Sequence, residues 1–399
     1  MTENQKLPLH GIRVLDLGHT VMGPACGMIL ADLGAEVYKI ERPQEGDSTR
    51  GLKGLGAGLF YCYNRNKKSL GIDLKKEEGV QLFLQLIEQV DVVIENFGPG
   101  VVARLGIDEE TCRSRNPSLV YCSLKGFFPG PYGARPALDE VVQMMSGLAY
   151  MTGPEGRPLR AGASVTDILG ACFGVIGILA ALQERNKRGQ GHFISSALFE
   201  TAAMLMGQHM AAAQLTGEPI CPMPERGRTW AVYDLFTTSD EKQVFIGLTS
   251  KKHWHAICQM LGLVDWAHDA RFADNQERMR HRHLFLPILQ QKIQTMALNE
   301  ACVTLEKAQI PFAPVRSPQD LLQDTHLLES NSFVRQTTAQ GTNLCLPGLP
   351  LRFDKSALPL THEAPLVGEG GHHLLSLIGI DKSSQEDLVK KGIISLDPT

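Results

Sequence analysis

The segment GIRVLDLGHTVMGPACGMILADLGAEVYKIE, residues 11–41, decides the fold class. IRVLDLG is a short apolar run rich in β-forming residues, PACGMILADLG has helical spacing and ends on Gly34, and AEVYKIE is a second β-rich run. A strand, a helix and a second strand in this order make a βαβ unit, whose two strands lie parallel in one sheet. We therefore predict that the chain opens with the building unit of an open α/β sheet.

The same alternation continues along the following segments. KEEGVQLFLQLIEQ places Val80, Phe83, Leu84 and Ile87 on one helical face, and VDVVIENF and SLVYCSLKGF have the pattern of further strands. Repeated alternation of strands and helices predicts an α/β fold built on a doubly wound, mostly parallel sheet.

The character of the sequence changes at about residue 216. TGEPICPMPERGRTW is rich in proline and glycine, YDLFTTSDEKQVFIGLT is typical of a hairpin with its turn at residues 239–242, and residues 252–310 have the pattern of short helices. We predict a large domain that begins with residues 1–215, a second, smaller α+β domain over residues 216–330, and a C-terminal segment over residues 331–399.

Composition limits the partners of the protein. Its 399 residues are 43% hydrophobic and 21% charged with a net charge of -4, which is not the positive excess expected of a nucleic-acid or anionic-membrane binder. Nine cysteines without a C-x-x-C pair fit reduced thiols better than a zinc site or a disulfide framework. The start MTENQKLPLHG lacks the apolar core of a signal peptide, and the uncharged run 168–182 is too short to span a bilayer. We expect a cytoplasmic protein with small-molecule partners that binds neither nucleic acid nor membranes.

Short ligand motifs give little support for other cofactors. GLKGLGAGLF holds Gly54 and Gly56 in a G-x-G, but residue 59 is Leu and the segment does not join a strand directly to a helix, which disfavours a nicotinamide-type dinucleotide. The sequence contains no Walker-type phosphate loop, H-E-x-x-H helix or G-x-S-x-G elbow. HRH at 281–283 lies in a basic helical run where side chains at i and i+2 diverge, so a solvated face is favoured over a metal site.

Polar side chains follow the predicted strands at the edge where open α/β sheets bind their ligands. They are His19 after the first strand, Arg42 after the second, Asn96 and Phe97 after the third and Lys125 after the fourth, with Lys75 and Arg104 beside the same elements. Taken singly, each fits a solvated charge or a local backbone contact equally well. Their repeated placement at one sheet edge favours an anionic ligand.

One acid stands at the start of the apolar segment RAGASVTDILGACFGVIGILAAL, residues 160–182. Asp167, like Thr166, could cap the helix that follows by accepting hydrogen bonds from its first free N–H groups. Alternatively, Asp167 is a nucleophile that the helix-end N–H groups and the helix dipole keep ionised while apolar neighbours exclude water. The segment by itself leaves both interpretations open.

Five segments together resemble the class III CoA-transferases, the family of formyl-CoA transferase and carnitine CoA-transferase. They are residues 11–50, NRNKKSLGIDLK, DVVIENFGPGVVARLG, NPSLVYCSLKGF and TDILGACFGVIGILAALQERNKRGQGHFISSAL. The resemblance implies an interlaced, ring-like homodimer, in which residues 331–399 return to the large domain, and it maps the catalytic aspartate onto Asp167. It implies contacts to coenzyme A, a substrate rather than a permanently bound cofactor, from Met22, Arg42, Ile72, Asp73, Leu74, Lys75, Asn96, Phe97, Gly98, Arg104, Arg135 and Asp139.

The implied reaction moves CoA from an acyl-CoA donor, such as succinyl-CoA, to a small carboxylic or dicarboxylic acid. The acyl and CoA groups pass through an aspartyl anhydride and an aspartyl-CoA thioester. Arg226 or Arg228 could pair with a second carboxylate of the acceptor, although solvated loop arginines fit the sequence as well. Formyl-CoA transferase has consecutive glycines in its second domain, and residues 226–244 have none, so formyl and oxalyl substrates are not expected.

Two other functions remain as weaker alternatives. Related 2-methylacyl-CoA racemases carry a histidine directly before the acid at position 139, whereas this chain has Leu138, which cannot move a proton. A CoA-binding protein without catalysis is weaker still, because Asp167 is present.

Overall fold

The computed structural model describes residues 7–225 and 230–397, which belong to two compact units. The first unit comprises the chain up to residue 225 and again from residue 328, and the second comprises the residues between. The first boundary therefore lies later than the expected residue 216. The reason is that the Pro-rich stretch after residue 216 still bonds within the first unit, where the Met223 N–H donates to the Met151 carbonyl at 3.0 Å.

Strands and helices alternate along most of the first unit. The described strands, β1 to β14 in chain order, are Arg13–Asp16, Glu36–Glu41, Lys67–Ile72, Val92–Glu95, Val120–Lys125, Phe193–Ala197, Tyr233–Thr237, Gln243–Gly247, Phe312–Pro314, Phe333–Thr337, Asn343–Pro347, Arg352–Phe353, Ser356–Ala357 and Ile394–Ser395. The described α-helices, α1 to α17 in chain order, are Met22–Asp32, Leu59–Asn64, Glu77–Ile87, Val101–Leu105, Glu109–Arg115, Asp139–Met145, Leu148–Thr152, Val165–Arg188, Leu198–Leu205, Gly207–Thr216, Lys251–Leu261, Asn275–Arg280, Arg282–Gln294, Leu298–Lys307, Thr325–Glu329, Gly371–Ser376 and Lys382–Lys390.

The central sheet has seven strands in the order β14-β3-β2-β1-β4-β5-β6. Strands β1 to β6 pair in parallel, and only β14 at one edge runs antiparallel to its neighbour β3. The predicted α/β fold with a mostly parallel sheet is therefore confirmed. Because β1 lies between β2 and β4, the strand order reverses there, and a crevice opens beyond the carboxyl ends of these strands.

Both faces of the sheet are covered, because successive side chains of a strand point to opposite faces. Val14 and Ile94 enter one hydrophobic core together with residues of α1 and α8, whereas Leu15 and Val93 enter a second core with residues of α3. The near-continuous apolar strand sequences follow from this double burial.

Helix α8 runs for 24 residues, well beyond the uncharged run 168–182. Within the described chain it is the one helix whose length and composition alone would allow it to cross a membrane, a property that buried core helices share. One of its faces is lined with small residues that permit close packing. A Cβ atom on Gly174 would lie 2.8 Å from the end of the Leu124 side chain of β5, so a larger residue there would have to displace that side chain.

The second unit has an antiparallel sheet in the order β7-β8-β9 and helices α11 to α14. Strands β7 and β8 form the predicted hairpin, which the Thr238 N–H closes by donating to the Lys242 carbonyl at 2.9 Å. The core of the unit centres on Trp254, whose ring lies 5.2 Å from that of Phe272 and 5.0 Å from that of Phe285. This unit is therefore an α+β body with its own core.

Candidate active site

A cavity of about 890 Å³ lies beyond the carboxyl ends of β1, β2 and β4 in the first unit. It is therefore at the edge where the strand order reverses. Seven of the residues predicted from the sequence line it: His19, Arg42, Ile72, Asp73, Leu74, Lys75 and Phe97. The strand-end rule and the family resemblance thus both indicated residues that line this cavity, and their contacts to a ligand stay a prediction.

The loop after β1 carries His19 into the cavity, and Asn96 fixes that loop. The Asn96 side chain accepts a hydrogen bond from the His19 N–H and donates one to the His19 carbonyl, both at 2.9 Å. The His19 ring lies 5.8 Å from the Phe97 ring, and its Nδ1 atom is buried without a hydrogen-bond partner in the described chain. Burial lowers the pKa of His19, so the ring is mainly neutral at neutral pH.

Three predicted cations stand on or near the cavity. Arg42 is exposed and bonds to Glu45 at 2.9 Å, Lys75 is exposed, and Arg104 is exposed on α4, the helix that also supplies the lining residue Val101. Long cationic side chains of this kind suit the phosphate groups of a nucleotide-like ligand.

Lys125, another predicted ligand contact, is paired within the protein. Its Nζ atom donates to the Glu95 carboxylate and to the Phe97 carbonyl, each at 2.8 Å, and Lys125 does not line the cavity. The same carboxylate accepts the Phe97 N–H at 2.9 Å. The charge of Lys125 is therefore satisfied internally, and its role is to hold the turn that presents Phe97.

Three other predicted contacts do not line the cavity. Met22 is buried and packs against Gly170 of α8, Gly98 is exposed at the turn before α4, and Arg135 is exposed over the Tyr132 ring at 5.1 Å. Arg226 and Arg228 lie outside the described residues.

The sequence analysis missed charged residues that line the cavity from inside the fold. Lys39 of β2 forms an ion pair with Asp47 at 2.7 Å, and Glu41 accepts two bonds from the Arg50 guanidinium. Lys39 and Glu41 are buried charges within an apolar strand, AEVYKIE. A charge in such a run needs a partner, and this signal could have identified both residues.

Asp167 is the third residue of α8, and its pKa is raised to about 7. Burial is the main cause, and the negative charge of Asp139 adds to it. No described residue donates a hydrogen bond to its carboxylate, so the capping interpretation is wrong. The helix dipole was expected to keep Asp167 ionised, but burial and the neighbouring charge of Asp139 oppose it and raise the pKa.

Asp139, a predicted contact of CoA, has hydrogen-bond partners within the protein. It is buried at 4% exposure, and its Oδ1 atom accepts the N–H groups of Thr166 at 2.9 Å and Asp167 at 3.2 Å. The Thr166 hydroxyl donates to the same oxygen at 2.5 Å. The preceding residue, Leu138, is exposed at the start of α6 and carries no titratable group. Asp139 therefore caps α8 from another helix and does not line the cavity at the sheet edge.

Comparison with known proteins identifies the kind of enzyme. Residues 9–371 match the sequence profile of CoA-transferase family III. The chain is 32% identical to the succinate–glutarate CoA-transferase of Agrobacterium fabrum, over 92% of this chain and 94% of that protein. It is 30% identical to the succinyl-CoA:glutarate CoA-transferase of Mus musculus, over 98% and 91%. It is 32% identical to the acetyl-CoA:oxalate CoA-transferase of Acetobacter aceti, over 90% and 92%.

The fold agrees with these sequence matches. The crystal structure of a CAIB/BAIF family protein from Brucella suis superposes with a TM-score of 0.84 at 30% identity, covering 94% of this chain and all of that one. Sheet order, cavity and relatives together define an enzyme that transfers coenzyme A between acyl groups. The chain belongs to CoA-transferase family III.

The raised pKa of Asp167 predicts that Asp167→Asn stabilises the protein in a pH-dependent way. The acid titrates near 3.8 in the unfolded chain and at about 7 in the folded protein, so the folded state binds more protons between these values. The stability of the wild type therefore falls as the pH rises through this window. We expect the melting temperature of Asp167→Asn to exceed that of the wild type by on the order of a few degrees more at pH 8 than at pH 5.

Asp354→Asn is the matched control, since it removes an exposed carboxylate from a turn that asparagine tolerates. Melting curves at both pH values, recorded for the three proteins, decide the matter. If the melting temperature of Asp167→Asn exceeds that of the wild type by the same amount at pH 5 and pH 8, the ionised carboxylate is not destabilised in the folded protein.

Proposed function

We propose that this CoA-transferase uses Asp167 as a covalent nucleophile to move CoA from a donor acyl-CoA to a small carboxylic or dicarboxylic acid. The observation that carries the proposal is the state of Asp167. Its carboxyl is largely withdrawn from water, accepts no hydrogen bond from the described residues and has its pKa raised to about 7. A more basic carboxylate is a better nucleophile, and a pKa near 7 leaves much of it ionised at neutral pH.

The donor half of the reaction has two acyl transfers. A carboxylate oxygen of Asp167 attacks the thioester carbonyl of the donor and expels CoA thiolate, which leaves a mixed anhydride between the donor acyl group and Asp167. The thiolate then attacks the aspartyl carbonyl of this anhydride. The donor acid leaves, and an aspartyl-CoA thioester remains.

The acceptor half reverses these steps with the second acid. The acceptor carboxylate attacks the aspartyl thioester, which again releases the thiolate and forms an acceptor–aspartyl anhydride. The thiolate attacks the acceptor carbonyl, gives the new acyl-CoA and frees the Asp167 carboxylate. Water and protons take no part in the balance, so the cycle depends on keeping water away from two anhydrides.

The cavity at the sheet edge supports the proposal of CoA binding. Arg42, Lys75 and Arg104 suit the diphosphate and the ribose phosphate of CoA, and Phe97 suits the adenine ring. Met22 joins this region to the nucleophile: it begins α1, three residues after His19, and packs on Gly170, one helical turn after Asp167.

For the substrates, we propose succinyl-CoA as donor and a small dicarboxylic acid as acceptor, because relatives named for succinate and glutarate align over nearly the whole chain. Arg226 or Arg228 would pair with the second carboxylate. A panel of acyl-CoA donors against glutarate, mesaconate, oxalate and acetate, followed by mass spectrometry of the product acyl-CoAs, tests this assignment. Transfer to acetate as fast as to glutarate would contradict the dicarboxylate preference.

Covalent catalysis predicts that Asp167→Ala lowers turnover by roughly a thousandfold or more. Its affinity for CoA, measured by calorimetry, should stay close to that of the wild type, because Asp167 does not line the cavity. Hydroxylamine added during turnover should convert Asp167 to a hydroxamate that peptide mass spectrometry locates, since anhydrides and thioesters react with amines. Wild-type turnover by Asp167→Ala would remove Asp167 from the mechanism.

Racemisation makes a different prediction for a chiral 2-methylacyl-CoA in deuterated water. A transferase moves CoA to an added acid and leaves the α-hydrogen in place, because anhydride exchange does not touch that carbon. A racemase exchanges the α-hydrogen for deuterium without any acceptor. We expect no acceptor-independent exchange, given the exposed Leu138 before Asp139. Exchange as fast as transfer would favour the racemase.

We also propose the interlaced homodimer. Apolar side chains on α8, α9 and α10 are exposed in the single chain: Ile176 at 59%, Met204 at 67% and Leu215 at 89%. Helix α10 buries none of its residues, and β6 is an unpaired sheet edge beside these helices. A second copy of the chain would cover this apolar surface.

The dimer predicts a solution mass of twice the 43.7 kDa chain by light scattering. Leu215→Glu should lower that mass at micromolar concentration, whereas Val389→Glu, an equal change at an exposed position on α17, should not. Interlacing further predicts that tagged and untagged copies exchange only after unfolding. A monomeric wild type would contradict the proposal.

A further inference from the structure

Asp139 and Gln143 lie one helical turn apart on α6 and are both buried, at 4% and 0% exposure. Gln143 bonds to one end of the loop before α8 and to Asp139 on its own helix. Its Nε2 atom donates to Asp139 Oδ2 at 2.5 Å, and its Oε1 atom accepts the Ala161 N–H at 2.8 Å. Through Oδ1, Asp139 holds the other end of the loop at Thr166 and Asp167.

The loop itself has little to fix its course. Residues 161–164 are Ala, Gly, Ala and Ser, and a Cβ atom added to Gly162 would meet no neighbour within 4 Å. Ser164, the residue before α8, makes no side-chain capping bond. The position of Asp167 therefore depends on α6, which anchors the loop at both ends.

Asp139 also decides which groups remain available to Asp167. A carboxylate at a helix start normally gains from the free N–H groups there. Here Asp139 accepts hydrogen bonds from the N–H groups of Thr166 and Asp167, together with one from the Thr166 hydroxyl. A carboxylate without such donors is less stabilised in its ionised form and therefore more reactive.

We infer that Asp139 is a positioning residue for the reaction: by capping α8 from α6 it fixes Asp167 in place and withholds from it the helix-end hydrogen bonds that would quench the nucleophile. The inference rests on the proposed role of Asp167. Asp139 acts through the helix end, because it is buried and its carboxylate oxygens accept hydrogen bonds from α6 and α8.

Two titratable groups of the described chain interact electrostatically with Asp167. Asp139 faces it from α6, and Tyr63 faces it from α2. Burial raises the pKa of Tyr63, so its phenol stays neutral over the range in which an acid near 7 titrates. Glu140, the next residue on α6, is half-exposed and forms an ion pair with Arg160. The effect of removing the Asp139 charge can therefore be measured as a change in the titration of Asp167.

The test compares Asp139→Asn with Glu140→Gln, which makes the same carboxylate-to-amide change one residue away. For Asp139→Asn we expect turnover to fall about tenfold or more, with the KM for the CoA ester within about twofold of the wild type. The acidic limb of the pH–rate profile should move to lower pH by about one unit, because a negative charge beside Asp167 is gone. Asp139→Glu should restore part of both effects, and Glu140→Gln should leave both unchanged.

A purely structural role for Asp139 would lower the amount of active enzyme without moving the pH–rate profile. An Asp139→Asn profile that superposes on that of the wild type therefore overturns the inference, as does an equal shift in Glu140→Gln. Asp139→Ala leaves helix-end N–H groups unpaired and can fail to fold. Asp139→Asn keeps the shape of the side chain, so the comparison does not depend on the alanine variant.

A measurement without turnover separates this inference from the proposed function. The melting temperatures at pH 5 and pH 8 are compared between proteins with Asp167 and proteins with Asp167→Asn. The comparison is made once with Asp139 present and once with Asp139→Asn. If the two acids are coupled, the difference between pH 8 and pH 5 shrinks when Asp139 is Asn. If this melting difference shrinks but the Asp167→Asn enzyme is fully active, Asp167 is not the nucleophile, although the two acids are coupled. An unchanged difference would sink the coupling itself.

Discussion

The site depends above all on two ion pairs buried beneath it. Lys67 bonds to Asp16 at 2.7 Å with both side chains fully buried, and Lys39 bonds to Asp47 at 2.7 Å with both side chains 1% exposed. Burial of unpaired charges would cost several kcal/mol each, so neither pair can lose one partner without a large penalty. Burial lowers the pKa of Lys67 to about 8 even though Asp16 opposes the shift. The first pair ties β3 to the carboxyl end of β1, and the second ties β2 to the loop that follows it and lines the cavity.

The pairs act on the cavity through the turn at Gly18. Asp16 Oδ1 accepts the Gly18 N–H, and Lys39 Nζ donates to the Gly18 carbonyl, each at 2.8 Å. A Cβ atom on Gly18 would lie 2.6 Å from the Gly23 backbone, so the turn can close only with glycine there. The turn delivers His19 to the cavity and starts α1, whose first residue packs on α8. One buried network thus sets both the cavity wall and the helix that carries Asp167.

The sequence predicted the scaffold because its pattern is local. The βαβ alternation, the helix faces and the residues at strand ends follow from neighbouring positions, and they placed His19, Arg42 and Phe97 on the cavity correctly. Side-chain pairing is not local. Lys125 stands after its strand as a free cation would, but its partner is 30 positions away on β4. Likewise, the residue that caps α8 is 27 positions before Thr166, so no local capping pattern could reveal Asp139.

The cap from another helix also explains why the two carboxylates near the start of α8 differ in their hydrogen bonding. A helix end offers a fixed set of N–H donors, and an acid from outside the helix can take them as well as one within it. The Asp139 carboxylate accepts hydrogen bonds from four donors, whereas the Asp167 carboxylate accepts none from the described chain. The free energy lost by leaving the Asp167 carboxylate without hydrogen bonds is offset by the bonds that the Asp139 carboxylate accepts, one of them from the Asp167 N–H. Hydrogen bonds that stabilised the Asp167 carboxylate before the attack would raise the activation free energy of anhydride formation. Only interactions that are stronger in the transition state than in the ground state accelerate the reaction. The reactive acid can then be both firmly placed and weakly stabilised, which a single capping aspartate cannot be.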